Sequence, residues 1–66
     1  MKIQLNGDGR EVAFGITLAG LLEELELESR NVAIEVNLDV VPRARHAEHV
    51  LNDGDQVEIV TLVGGG

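Results

Sequence analysis

Gln56-Val57-Glu58-Ile59-Val60-Thr61-Leu62 runs without a break into Val63-Gly64-Gly65-Gly66, and this stretch decides the fold. Side chains of a strand alternate between faces, so Val57 and Ile59 share one face and Glu58, Val60 and Leu62 the other. The first pair is in register for a core. Three glycines offer no side chain to pack and lose more backbone entropy on ordering than other residues. The strand is therefore expected to leave the fold at Val63, with residues 64–66 as a flexible tail. Such a tail can pass through a channel too narrow for a Cβ atom. A frayed terminus is the plain alternative, and the rest of the chain has to decide between them.

Moving outward from the strand, Asn52-Asp53-Gly54-Asp55 is a turn signal. Before it, Arg43 to Leu51 is short and mixed, with room for one helical turn, and Val50 and Leu51 are expected to return to the core. Val40-Val41 reads as a short strand that Pro42 ends by removing a ladder donor. Asn31 to Asn37 alternates again, with Val32, Ile34 and Val36 on one face. Leu18, Leu21, Leu22 and Leu25 recur at helical spacing, and Thr17 suits the N-cap. That predicts a helix of about ten residues, its Glu23, Glu24 and Glu26 mainly on the solvent side. Gly20 inside it suggests close approach to a sheet. Lys2 to Asn6 and Arg10 to Phe14, joined through Gly7-Asp8-Gly9, predict a hairpin with Ile3, Leu5, Val12 and Phe14 inward.

The order is β-β-α-β-β-β, with no linker or repeat, and residues 1–66 are read as a single domain. One short helix cannot form a layer unless a sheet covers its apolar stripe. The expected fold class is therefore α+β, a mixed curved sheet of about five strands around one helix. The last strand is expected at its centre, pairing in parallel with the first.

Composition excludes several functions. The chain has no cysteine, so a disulfide scaffold, a thiolate zinc site and a cysteine nucleophile are absent. Phe14 is its one aromatic residue and the net charge is −7, which argues against nucleic-acid binding by stacking or by phosphate contact. No apolar run approaches membrane-spanning length and no signal peptide is evident, so the expected location is cytoplasmic. His46 and His49 are two ligands where a metal site needs three or four, and both are expected at the surface. Arg43 and Arg45 are read as surface cations. No nucleophile has a base beside it in a pattern of nucleophilic catalysis. The distinctive chemical group is the α-carboxylate of Gly66.

Thr17-Leu18 with Leu21-Leu22, then Val36-Asn37 leading to Val40-Val41-Pro42-Arg43, then Asp53-Gly54-Asp55 before Val57-Glu58-Ile59-Val60, and finally Val63-Gly64-Gly65-Gly66, together resemble the ThiS/MoaD family of ubiquitin-like sulfur carriers. The resemblance covers the whole chain and implies the ubiquitin-like β-grasp fold. It implies a protein co-substrate, not an enzyme. An E1-like adenylating enzyme would use ATP to adenylate the Gly66 carboxylate, and a sulfur donor protein would then convert it to a thiocarboxylate. Thiazole synthase would take up that sulfur in thiamine biosynthesis. Gly64 and Gly65 would enter the partner, and Glu58, Val60 and Leu62 would form the docking surface beside the tail. No bound cofactor or metal is implied. A molybdopterin-synthase small subunit and a ubiquitin-like interaction module or protein modifier stay open as alternatives.

Overall fold

The structure is a computed structural model that describes residues 1–62. Its elements are β1 (Lys2–Leu5), β2 (Asp8–Glu11), α1 (Leu18–Glu24), β3 (Val32–Val36), β4 (Asp39–Val41) and β5 (Gln56–Thr61), with short 3₁₀ turns at Ser29–Asn31 and Arg43–Arg45. The five strands form one mixed sheet in the order β2-β1-β5-β3-β4. β5 is central, parallel to β1 and antiparallel to β3. The α+β expectation of one sheet around one helix holds.

The helix sits where its leucines can be covered. Leu18, Leu21 and Leu22 are buried against Ile3, Val12, Val32, Ile34, Val36, Val41, Leu51, Val57 and Ile59. Burying each such leucine contributes roughly 2 kcal/mol relative to leaving it in water. The Thr17 hydroxyl accepts from the Gly20 N–H at 3.1 Å, as an N-cap should. The other two N–H groups of the first turn, those of Leu18 and Ala19, donate to the carbonyls of His49 and His46 at 3.0 and 2.9 Å. The 43–51 segment thus completes the helix start, satisfying donors that would otherwise have no partner.

Several expectations are corrected. The helix spans seven residues, not about ten. It stops because Glu26 takes the left-handed conformation, φ 59°. The Glu26 and Leu27 N–H groups then donate to the carbonyls of Glu23 and Leu22, the two bonds of a Schellman motif. Gly20 does not meet the sheet. A Cβ there would lie 3.2 Å from Ile16 Cγ1 and 3.4 Å from Thr17 Oγ1, so the crowding comes from the residues leading into the helix.

The first hairpin turns one position earlier than expected. Asn6 and Gly7 have φ of 49° and 88°, the two positive values of a type I′ turn, and Leu5 pairs with Asp8. β2 therefore covers Asp8–Glu11, not Arg10–Phe14. Val12 is buried, but Phe14 lies beyond the strand in the turn before the helix and is 82% exposed. Val50 is half exposed and Leu51 alone of that pair is buried, because Val50 bridges Thr17 and the chain alternates.

His46 is buried and not at the surface. Its Nε2 lies 3.1 Å from the Val41 carbonyl, to which it must donate since a carbonyl only accepts. This contact ties the 43–51 segment to the end of edge strand β4.

β3 and β4 are joined by a second turn of the same kind, Asn37-Leu38, with φ of 52° and 73°. Leu38 has no reason in packing to sit there, being 83% exposed. A branched side chain in this region costs about 1–2 kcal/mol, whereas glycine would lose some of that gain to a freer unfolded chain. Relief of strain outweighs that loss. Leu38→Gly should raise unfolding stability by up to about 1 kcal/mol in urea titrations.

Candidate functional site

The candidate site is the outer face of the sheet where β5 carries the chain toward its glycines. Alternation along β5 buries Val57 and Ile59 and exposes Glu58, Val60 and Leu62. Val60 is 59% and Leu62 53% exposed, so both apolar side chains meet water at the strand's end. No layer covers this face among the described residues, because the single helix lies on the other. Gly64, Gly65 and Gly66, the remaining site residues expected from sequence, lie outside the described residues.

Register brings further residues to the same face. Ala33 lies opposite Val60, and Glu35 lies opposite both Glu58 and Val40. Val40 is 71% exposed. The outer face therefore has aliphatic groups around two carboxylates on adjacent central strands. Like charges placed directly opposite one another weaken a sheet, and neither carboxylate pairs with a cation among the described residues. Sequence reading missed Ala33, Glu35 and Val40. The signal lay in the outward positions of β3 and β4, which become informative only once their register against β5 is known.

The basic segment lies elsewhere. Arg45 is 3.8 Å from Glu48 and exposed, and it lines an open groove with Val40, Pro42, Glu48 and His49 beside β4. His49 is half-buried and His46 is turned inward, so the structure does not present the two imidazoles as a surface pair. Among the described residues no three potential ligands converge on a metal position. No described helix is long and apolar enough to cross a membrane.

What the arrangement can do follows from where the strand ends. β5 is held on both sides by neighbouring strands, and the exposed Val60 and Leu62 lie at the point where the chain goes on to Gly64-Gly65-Gly66. A five-stranded mixed sheet around one helix, with the last strand at its centre, defines the ubiquitin-like β-grasp class. Within that class the chain belongs to the ThiS family, whose profile matches residues 3–66.

Individual relatives agree. The sulfur carrier protein ThiS of Escherichia coli is 35% identical over 66 residues, covering all of both chains. A crystal structure of the thiamine biosynthesis protein ThiS from Geobacter metallireducens superposes with a TM-score of 0.84 at 30% identity, again over the full length of both. The chain is also 46% identical over 66 residues to part of a thiazole synthase of Paramagnetospirillum magneticum. It spans only 20% of that protein's length, and likewise 20% of a second thiazole synthase, from Magnetococcus marinus, at 44% identity.

Proposed function

We propose that the chain is a sulfur carrier for thiazole formation in thiamine biosynthesis, acting through the carboxylate of Gly66 in the cytoplasm. The observation that carries this reading is full-length similarity to ThiS proteins in a fold whose central strand leads to the glycines. The chemistry is that of a poor acyl donor made reactive. A carboxylate oxygen of Gly66 attacks the α-phosphorus of ATP, and pyrophosphate leaves. Sulfur delivered at the oxidation level of hydrosulfide then attacks the carbonyl carbon of the acyl-adenylate, AMP leaves and the S–H proton is lost to solvent, giving the thiocarboxylate. The chain contributes no catalytic group to either step. Its role is to deliver an unhindered carbonyl, and glycine has no side chain to obstruct attack.

The partners are an E1-like adenylating enzyme, which consumes the ATP, a sulfur donor protein, and a thiazole synthase. Two thiazole synthases that include a segment similar to this chain support the last of these. Glu58, Val60 and Leu62 form the docking surface. An acidic protein of net charge −7 suits partners with basic surfaces, which steer its approach.

The test is direct. The 66-residue chain is incubated with a ThiF-like adenylating enzyme, ATP and sulfide, and its intact mass is measured. Replacement of one oxygen by sulfur is the expected result. An unchanged mass, with enzyme shown to be active on its own carrier, overturns the reading.

A further inference from the structure

We infer that Asn6 is a positioning residue for the reacting end of the chain, an inference that rests on the carrier function proposed above. β1 runs out at Leu5 while its parallel neighbour β5 continues to Thr61. Backbone groups alternate in direction along a strand, and those of Val57, Ile59 and Thr61 face the β1 side. The Asn6 N–H donates to the Val57 carbonyl at 2.9 Å, and the main chain then turns away into the Asn6-Gly7 turn.

The side chain takes over where the backbone leaves. Asn6 Oδ1 accepts from the Ile59 N–H at 2.8 Å, and Asn6 Nδ2 donates to the Ile59 carbonyl at 3.1 Å. In a parallel pair these two groups would be met by different residues, the Ile59 N–H by the Asn6 main-chain carbonyl and the Ile59 carbonyl by an N–H two residues further along β1, so one side-chain amide stands in for both. Beyond it, the N–H and C=O of Thr61 face the same side, and no described residue of β1 reaches them. On the other side of β5 the last hold among the described residues is the Leu62 N–H donating to the Asn31 carbonyl at 2.7 Å. Asn6 is therefore the final anchor, among the described residues, on one flank of the strand that aims the tail. Without it, loosening from Ile59 onward would add mobile residues between the domain and the reacting carbonyl. It would also disorder Val60 and Leu62. Both lower the share of encounters that place the carbonyl correctly.

The molecule contains its own control. Asn37 occupies the matching position of the second type I′ turn, φ 52°, and also grips β5. Its Oδ1 accepts from the Gln56 N–H and its Nδ2 donates to Asp55 Oδ1, both at 3.0 Å. That grip is at the start of β5, far from the tail. Glycine fits the backbone of both turns, so Asn6→Gly and Asn37→Gly each remove a side-chain clamp and little else.

Both variants are compared with wild type by thermal melting, amide hydrogen exchange, and pyrophosphate exchange with the adenylating enzyme. Both should lose stability. In Asn6→Gly alone, the Ile59 and Leu62 amides should exchange on the order of 10- to 30-fold faster, the effect of two lost hydrogen bonds. In Asn6→Gly alone, kcat/KM for pyrophosphate exchange should fall about tenfold, a cost of misplacing the reacting group. A merely structural role would make the two variants alike in kcat/KM once their stabilities are matched, and that result overturns the inference. So does wild-type kcat/KM in an Asn6→Gly protein. Failure of wild type itself to be adenylated is a separate outcome, which overturns the carrier reading and this inference with it.

Discussion

A chain lengthened beyond Gly66 should take up no sulfur. The proposed reacting group is the Gly66 α-carboxylate, and an appended residue converts it to an amide. An amide oxygen does not displace pyrophosphate from ATP under these conditions, so the effect is a loss of loading, not a reduction. The measurement is intact mass after incubation with adenylating enzyme, ATP and sulfide, with a check that the appended residue has not been removed. Sulfur on an extended chain would show that another group reacts. Gly65→Val asks the companion question of whether the enzyme's channel requires bare backbone. The substitution lies outside the described residues, and melting is expected to be unchanged. A β-branched side chain beside the reacting carbonyl both fills the channel and restricts the backbone. Pyrophosphate exchange should therefore fall by about a hundredfold or more, as when a reacting group is held out of place by an ångström. Wild-type exchange by a folded Gly65→Val protein would reduce the glycines to a spacer.

The part of this design that could be read from sequence is the part carried by a period. β5 alternates, so Val57 and Ile59 inside and Val60 and Leu62 outside followed from spacing alone, and its central place followed from the order of elements. The leucine stripe likewise placed Leu18, Leu21 and Leu22 on one buried face. What spacing could not supply was where elements stop. Glu26 ends the helix in a left-handed conformation that glycine usually takes, so no residue type announced the stop. The Gly7-Asp8-Gly9 cluster offered more than one turn, and reading past the Asn6-Gly7 pair displaced β2 and wrongly turned Phe14 inward. His46 is buried by a tertiary arrangement, its ring on the edge of β4 and its carbonyl on the helix start, neither of which is local in sequence. The clamps of Asn6 and Asn37 were missed for the same reason. Each joins residues far apart in the chain, and the turn preference of asparagine hides its second use.

Docking is where exposure and function meet most sharply. Val60 and Leu62 are aliphatic side chains more than half exposed on a strand that otherwise buries its valine and isoleucine. With Val40 on the neighbouring hairpin they give the outer face an apolar character that folding does not require. Exposed aliphatics at the end of the strand that leads to the proposed reacting carboxylate fit a surface that is covered during the proposed reaction. Replacing Val60 and Leu62 together by Asp tests this, since both positions already face water and the fold loses little burial. Melting should show at most a small loss of stability. Affinity for the adenylating enzyme, measured by calorimetry, should fall by more than about a hundredfold, because buried carboxylates at the centre of an interface remain unpaired. An unfolded double variant would mean that these side chains support the core in spite of their exposure. A folded variant with wild-type affinity would move the docking site, and the groove beside β4 lined by Val40, Pro42 and Arg45 would be the next surface to alter. If thiazole synthase covers the same face, it and the adenylating enzyme exclude one another. The double variant should then lose both partners, and excess synthase should inhibit adenylation of wild type in proportion to its occupancy.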